Sequence, residues 1–218
     1  MKTNEVLQKD VQDAIKWEPL LNAAEIGVTA IDGVVTLTGN VDSYAKKMEA
    51  EEAVKKVVGV LAVVEKIQIK MNNWNSNDDN EIAKELVEAF NSSWQVPHEK
   101  ITVKVENGWI TLGGEVDWNH QKEAAKKIAS NMPHIKWVTN NITIKSQNED
   151  TVEKEAIESA MLRNSILDDR AITVEVTGTT VTLTGSVHSW YQKNEANRVA
   201  WNAPGVLVVN DQLKIDYV

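Results

Sequence analysis

The sequence predicts an α+β protein of three tandem αββαβ modules, each a three-stranded mixed sheet with two helices on one face. The first observation behind this prediction is a repeat: one pattern of valine, leucine and glycine occurs three times, with its glycine at Gly39, Gly114 and Gly185. The second is a two-residue hairpin signal before each glycine, and the third is helical spacing of apolar residues around each hairpin. Because each copy forms one supersecondary unit, we place the modules at residues 1–71, 77–146 and 149–218.

Each module opens with an amphipathic helix, because apolar residues recur there at intervals of three and four. In the third copy Glu153 interrupts this spacing, so that helix is expected to start late or to fray. The apolar positions of the three helices are Leu7, Val11, Ala14 and Ile15, then Ile82, Leu86, Ala89 and Phe90, then Ile157, Ala160 and Met161.

Two alternating strands joined by a two-residue turn follow each first helix. Two of the turns have the asparagine-glycine or aspartate-glycine pair of type I′, and the third has the leading glycine of type II′. The turns are Asp32-Gly33, Asn107-Gly108 and Gly178-Thr179. A turn of this length fixes the strand register, which then pairs Ile26 with Gly39, Ile101 with Gly114, and Ile172 with Gly185. A glycine opposite a bulky isoleucine predicts a bulge or the close approach of a helix backbone.

A second helix and a last strand complete each module. The second helix has a stripe of small residues and ends at glycine or proline. Its predicted apolar positions are Ala50, Ala53, Val54 and Val57, then Ala125, Ile128, Ala129 and Met132, then Ala196, Val199, Ala200 and Ala203. The last strands supply Val63, Ile67 and Ile69, then Val138, Ile142 and Ile144, then Val209, Leu213 and Ile215. Polar linkers are expected near residues 72–80 and 146–150.

Composition excludes several classes of protein. The 218-residue chain has a net charge of −9, which repels phosphate and disfavours nucleic acid as a partner. It has no cysteine, and its four histidines lack metal-ligand spacing, so we expect neither a metal site nor a cofactor. Its longest nearly apolar run, residues 57–64, is far shorter than the roughly 20 residues of a transmembrane helix. The polar residues 1–9 do not form a secretory leader, which predicts a cytoplasmic protein; a periplasmic or membrane-peripheral location is the alternative if a leader was removed.

The three hairpin stretches resemble the BON domain, the bacterial osmotic-shock and nodulation-associated module. The resemblance lies in residues 28–41, 103–116 and 174–187, each followed by a helix with lysine and paired alanines and then by Gly-Val or an equivalent. It covers nearly the whole chain and implies the αββαβ fold. It also implies a non-catalytic module of bacterial envelope, osmotic-stress and transport-related proteins that binds phospholipid or tethers proteins to membranes. One departure is His134, which stands where the other copies have Gly59 and Gly205.

Aromatic and lysine residues near the helix ends are the candidate binding residues. In this fold the carboxyl end of the first helix and the amino end of the second share one pole of the module, and amphipathic rings there suit a membrane interface or a protein partner. The aromatic candidates are Trp17, Tyr44, Trp94, Trp118, Trp190 and Tyr191. The alternative is that these rings pack one module against another.

A lysine recurs in the first turn of each second helix, as Lys47, Lys122 and Lys193. A cation there opposes the helix dipole, which suggests that lysine and free helix amides together attract an anion such as a lipid phosphate. The alternative is a solvated lysine whose stem covers the core.

No pair of acid and base residues with a catalytic arrangement can be defended, so the chain is predicted not to be an enzyme. The sequence favours a binding protein that associates with a phospholipid surface, or with an envelope protein, through several weak sites acting together. The alternatives are a protein–protein interaction scaffold or self-associating module, and a small-molecule sensor with a cleft between copies.

Overall fold

The computed structural model describes residues 2–70, 79–145, 152–167 and 171–216. Across these segments the order helix, strand, strand, helix, strand occurs three times, which confirms the predicted fold. The predicted linkers lie outside the described residues, except for the first residues of the second module's first helix. The first module contains α1 Asn4–Trp17, β1 Ile26–Ile31, β2 Val34–Val41, α2 Tyr44–Lys55 and β3 Ala62–Ile69. The second contains α3 Asp79–Asn91, β4 Ile101–Glu106, β5 Trp109–Val116, α4 Asn119–Ser130, β6 Trp137–Asn140 and β7 Thr143–Ile144. The third contains α5 Lys154–Leu162, β8 Ile172–Thr177, β9 Thr180–Val187, α6 Trp190–Trp201 and β10 Val208–Ile215.

Each sheet has its second strand in the middle, in the orders β1-β2-β3, β4-β5-β6 and β8-β9-β10. In the second and third modules the first pair of strands is antiparallel and the second pair is parallel. The last strand of the second module is divided into β6 and β7, but both segments pair with β5 in one register. Leu112 lies opposite Asn140, and Glu115 lies opposite Thr143. The division therefore interrupts the strand without shifting it.

The hairpin turns have the conformations that their residues predict. Asp32 and Gly33 have φ angles of 48° and 80°, and Asn107 and Gly108 repeat this with 53° and 79°. Both central residues of a type I′ turn need positive φ. In the third turn Gly178 has φ 60° and the following threonine does not have positive φ, as type II′ requires.

The position in the middle of the central strand requires glycine because another part of the backbone comes close to it. Gly114 and Gly185 have φ of 115° and 119°, and they pair with the isoleucines that the sequence predicts. A β-carbon at either position would overlap the carbonyl oxygen of the residue just before the first strand, Lys100 or Ala171. In the second module that residue ends a 3₁₀ helix, His98–Lys100. The predicted close approach is confirmed, whereas the alternative of a bulge is wrong, because both ladders are uninterrupted here.

The apolar stripe of each first helix forms the core of its module. Its main positions are all buried: Leu7, Val11, Ile15, Ile82, Leu86, Phe90, Ile157 and Met161. The helix α5 begins only at Lys154 and has 9 residues, against 14 in α1, as the interruption at Glu153 predicts. The apolar stripe of the second helix is shorter than predicted, because Val57, Met132 and Ala203 lie beyond the helix ends. The sequence analysis missed the buried residues that follow each helix, Val60, Ile135 and Val206.

His134 adopts a backbone conformation that is normally glycine's. Its φ is 60°, whereas Gly59 and Gly205 at the equivalent positions have 106° and 79°. A left-handed residue after a helix allows the chain to leave the helix sharply. The second module therefore keeps the turn in spite of the changed residue.

Packing divides the chain into two compact units that do not coincide with the repeats. One consists of residues 1–38, 50–66 and 148–218, and the other of residues 39–49 and 67–147. The first unit includes the core of the third module, centred on Leu183 and Ile157. The second includes the core of the second module, centred on Phe90 and Ile110, to which Tyr44 of the first module belongs.

Replacing Gly185 by alanine should destabilise the protein far more than the same change at Gly178. Both residues have positive φ, but only Gly185 would place its new β-carbon against a backbone carbonyl. We expect Gly185→Ala to lower the free energy of unfolding by about 3 kcal/mol or more and Gly178→Ala by about 1 kcal/mol, in urea titrations followed by circular dichroism. Equal losses would show that the carbonyl approach is not the constraint.

Candidate binding surface at the helix ends

The tryptophans at the ends of the first helices are almost fully exposed. Trp17 is the last residue of α1 and is 88% exposed, and Trp94, just after α3, is 90% exposed. In the third module Leu162, the last residue of α5, is 62% exposed. A large apolar side chain thus projects into solvent at the same end of the first helix in all three modules.

The aromatic residues that begin the second helices have a different environment. Tyr44 is buried, and its ring meets the edge of Trp137 in the second module, with centroids 5.7 Å apart. Trp190 occupies the equivalent position in the third module, and its Nε1 donates a hydrogen bond of 3.1 Å to the carbonyl oxygen of Leu61 in the first. The sequence allowed these two residues either a membrane interface or packing between modules. In the structure both make contacts between modules.

The remaining aromatic candidates lie beside the same helix starts. Trp118 precedes α4 as its N-terminal cap residue, is partly buried and stacks on His120 with ring centroids 6.4 Å apart. Tyr191 is the second residue of α6 and is 39% exposed. The structure therefore does not gather the six predicted rings into one surface: three are exposed, two make contacts between modules and one, Trp118, is partly buried.

Two of the three recurring lysines donate hydrogen bonds to the last strand of their module. The Nζ of Lys47 donates a 3.1 Å hydrogen bond to the carbonyl oxygen of Ile67. The Nζ of Lys193 donates to the equivalent carbonyl of Leu213 and lies 3.3 Å from the Asp211 carboxylate. Both ammonium groups also lie over an indole ring, at 5.7 Å and 5.8 Å from the ring centroids of Trp137 and Trp190.

Lys122 differs from its two counterparts. Within the described segments its ammonium group has no hydrogen-bond or ion-pair partner, while its backbone carbonyl accepts a hydrogen bond from the Asn140 side chain. The helix amides near these lysines also have protein acceptors. Ser43 Oγ accepts from the amide of Lys46, and Ser189 Oγ accepts from the amide of Gln192. Lys47 and Lys193 are therefore engaged in holding helix to strand, which leaves Lys122 as the lysine available to an anion.

The sequence analysis missed two exposed tryptophans on the second sheet. Trp109 and Trp137 begin β5 and β6, are 52% and 40% exposed, and lie side by side with centroids 6.4 Å apart. The available signal was strand alternation, because Trp109 precedes the buried Ile110 and so must face away from the core. Trp137 is also the ring that Tyr44 contacts in the second module.

The described residues show no arrangement suited to metal binding. They contain no group of three or more histidine, aspartate or glutamate side chains that could hold a metal ion. Their one buried polar residue is Ser189, which caps α6. Among the described helices none combines the length and hydrophobicity that crossing a membrane requires.

Lys193 should stabilise the fold, whereas Lys122 should not. We expect Lys193→Met to lower the free energy of unfolding by about 1–2 kcal/mol, because it leaves a strand carbonyl and a partly buried carboxylate without their cation. Lys122→Met is the matched control at the same helix position and should change stability by less than about 0.5 kcal/mol. Thermal and urea denaturation of both variants provide the measurement, and similar losses would contradict this distinction.

The ion pair of Glu195 and Arg198 on α6 should make stability depend on acid pH. Hydrogen bonds from the Arg198 guanidinium hold the pKa of the Glu195 carboxyl below its usual value. A lowered folded-state pKa stabilises the protein above the unfolded-state pKa, and this contribution is lost as the pH falls through the folded-state value. Because Arg198 is 58% exposed, Glu195→Gln should cost only about 0.5 kcal/mol at pH 7. The gap between wild type and variant should close at acid pH; a gap that widens would contradict the assignment.

Comparison with known proteins places these features in a family. The chain is 29% identical to osmotically-inducible protein Y of Escherichia coli strain K12 over 129 residues, which is 57% of this chain and 64% of that protein. The match thus spans less than two thirds of the relative's length. A solved structure, the C-terminal domain of CdsD, a structural protein of the type III secretion system of Chlamydia trachomatis, aligns over 99% of this chain and 100% of its own at 16% identity. Its TM-score of 0.27 is too low to support any further comparison.

The family assignment rests on the repeat itself. The model of the BON domain matches three times in tandem, at residues 3–71, 78–146 and 149–217. These matches follow the three αββαβ units of the structure and leave almost no residue of the chain uncovered. The chain is a member of the BON domain family, with three consecutive copies of the domain.

Proposed function

We propose that the protein is a non-enzymatic member of the osmotic-stress and envelope class that associates with phospholipid surfaces through the exposed tryptophans at its first-helix ends. The family and the relatedness to an osmotically inducible protein support the class. The observation that carries the lipid assignment is the exposure of Trp17 and Trp94, at 88% and 90%.

An exposed indole ring is well suited to the boundary between water and lipid. Its apolar body gains free energy on leaving water, while its N–H can still bond with headgroups or water. Burial of about 100 Å² of ring surface is worth about 2.5 kcal/mol at roughly 25 cal/mol per Å². One such contact gives weak, reversible binding, and two contacts used together would bind much more strongly.

Charge is not expected to drive this association. The chain carries a net charge of −9, so an anionic membrane repels it at long range. Lys47 and Lys193, which the sequence suggested as anion ligands, have their ammonium groups on carbonyl oxygens of the fold. We therefore expect binding to anionic vesicles to be no stronger than binding to neutral vesicles, and added salt not to weaken either.

Vesicle co-sedimentation tests this proposal. Wild-type protein should bind vesicles of phosphatidylcholine alone and of phosphatidylcholine mixed with phosphatidylglycerol. Trp17→Ser and Trp94→Ser should each weaken binding by up to about 70-fold, because each removes one indole contact worth about 2.5 kcal/mol. Serine is a suitable replacement for Trp17 because Ser92 occupies the equivalent position in the second module. Ile31→Ser is the control, since Ile31 is an apolar strand residue with 64% exposure away from the helix end.

Three results would overturn the lipid assignment. The first is no binding of wild type to either vesicle at low salt. The second is equal loss from Ile31→Ser, which would show that any exposed apolar residue contributes. The third is binding that requires anionic lipid and disappears in Lys122→Glu, which would assign the interaction to charge.

A second candidate function is a protein–protein interaction scaffold or self-associating module. The observation in its favour is that the first residue of the second helix contacts another module in two places, at Tyr44 and at Trp190. Both contacts join the start of a second helix to another BON domain of the same chain, which supports a role for this helix end in recognising a further domain. In the second module the same end carries Trp118 and His120.

Light scattering over a wide concentration range distinguishes this candidate. A scaffold of this kind should show a mass that increases with concentration without lipid, and Trp118→Ala should reduce the increase. A constant monomer mass in wild type would exclude self-association through this helix end.

A further inference from the structure

A cleft with a volume of about 530 Å³ lies between the two helices of the third module. One wall is a face of α5 with Ala156, Ile157 and Ala160, and the opposite wall includes Val199 and Ala203 at and beyond the end of α6. This volume lies within the range of sites that bind small molecules, roughly 300–1,000 Å³. The cleft is contained within one module, unlike the cleft between copies that the sequence suggested.

The other copies show which residues open the cleft. The third module follows the second by 71 residues, so Ala203 corresponds to Met132 and Ala156 corresponds to Glu85. In the second module the Met132 side chain packs against the core. Ala156 and Ala203 both line the cleft, and alanine has less side-chain volume than methionine or glutamate. These two alanines are particular to the third module's own sequence.

The rim of the cleft carries two of the three arginines in the chain, Arg163 and Arg198, and all three lie in the third module. Arg198 is already paired, because its Nε and Nη2 lie 2.8 Å and 2.6 Å from the two carboxylate oxygens of Glu195. Across the part of the chain that the structure describes, the Arg163 guanidinium has no hydrogen-bond or ion-pair partner. An unpaired guanidinium offers five donors in a planar fork, and carboxylate and phosphate are the groups that match it.

We infer that this cleft binds a single-chain amphiphile with an anionic head group. The alkyl chain lies along the alanine wall, and the carboxylate or phosphate accepts hydrogen bonds from Arg163. Seven residues separate Ala156 from Arg163, which at about 1.5 Å per residue gives an apolar wall about 10 Å long that ends in the cation. The inference does not depend on membrane association through Trp17 and Trp94.

A carboxylate bonded to residues of the cleft lining, Glu195, is already compensated. Glu195 accepts hydrogen bonds from Arg198 and from the Asn164 side chain, the latter at 2.6 Å, so both of its oxygens are directed to protein donors. Asn164 also lines the cleft, and its Oδ1 accepts from the amide of Ile166. The donors of Arg163 remain for an incoming anion.

Isothermal titration calorimetry of the full chain with short amphiphiles, below the concentrations at which they form micelles, tests the inference. Decanoate and decyl phosphate should bind with one site per chain, whereas decyltrimethylammonium, with the same chain and the opposite charge, should not. The ratio of the two anionic affinities shows whether the head group that fits best is a carboxylate or a phosphate.

Two variants transfer residues of the second module into the third. Ala203→Met should fill the cleft and weaken decanoate binding at least tenfold. Arg163→Ser, which copies Ser92, should weaken it to a similar extent, and Arg163→Lys should restore part of the affinity. Leu162→Ser, next to the cleft but not in its lining, is the control and should bind as wild type does. Unfolding is measured alongside, because a cation after α5 also interacts with the helix dipole.

The inference is wrong if decyltrimethylammonium binds as well as decanoate, if wild type binds neither anion, or if Ala203→Met binds normally while folded. The Trp17→Ser, Trp94→Ser double variant should retain decanoate binding, and Ala203→Met should retain vesicle binding. Failure of one proposal therefore remains distinguishable from failure of the other.

Discussion

The central strand of each sheet carries the constraint on which the module depends, because it is paired on both sides. The two-residue turn sets its antiparallel pairing with the first strand, and the last strand then adds in parallel at a fixed spacing. Ile110 lies opposite Val138, and Val181 lies opposite Val209, 28 residues apart in both modules. A shift of one residue would turn Leu183 and its neighbours away from the helices and expose the core. The glycine in this strand leaves room for the carbonyl that precedes the first strand.

The paired strands fix the start of the second helix in all three modules, but the side chains at that start make different contacts in each module. Tyr44 reaches the aromatic pair of the second sheet, and Trp190 bonds to a carbonyl of the first module. The lysine three residues later donates to a strand carbonyl in two modules but has its ammonium group unpaired, within the described residues, in the other. Equivalent backbone positions therefore do not imply equivalent function, because the partner of each side chain is supplied by another part of the chain.

Repetition also shows what is particular to the third module. Its first helix is shorter, its arginines are not found in the other copies, and alanine replaces methionine and glutamate between its helices. The copies share the residues that the fold requires, such as the strand glycine and the apolar helix stripe. Differences between them fall on helix faces and ends, where the fold tolerates change and binding can diverge.

A feature can be predicted from the sequence when the residues that determine it lie close together along the chain. The hairpins, the helix stripes and the strand register depend on residues a few positions apart, and the spacing of apolar residues with glycine turns was sufficient to predict them. The buried valines and isoleucine after the second helices were missed because single residues after a helix have no periodicity. Strand alternation could have predicted that Trp109 and Trp137 are exposed. That the two rings lie side by side depends on the pairing of their strands in the sheet.

The sequence by itself determined three αββαβ modules, the type of each turn and most of the residues that form each core, since these follow from local periodicity and backbone sterics. The tertiary structure decided which candidate residues remain in solvent. Trp17 and Trp190 are both tryptophans near a helix end, yet one is 88% exposed and the other bonds to Leu61, which lies 129 residues away. Contacts over such separations depend on how packed surfaces meet, and no pattern within a single repeat encodes them.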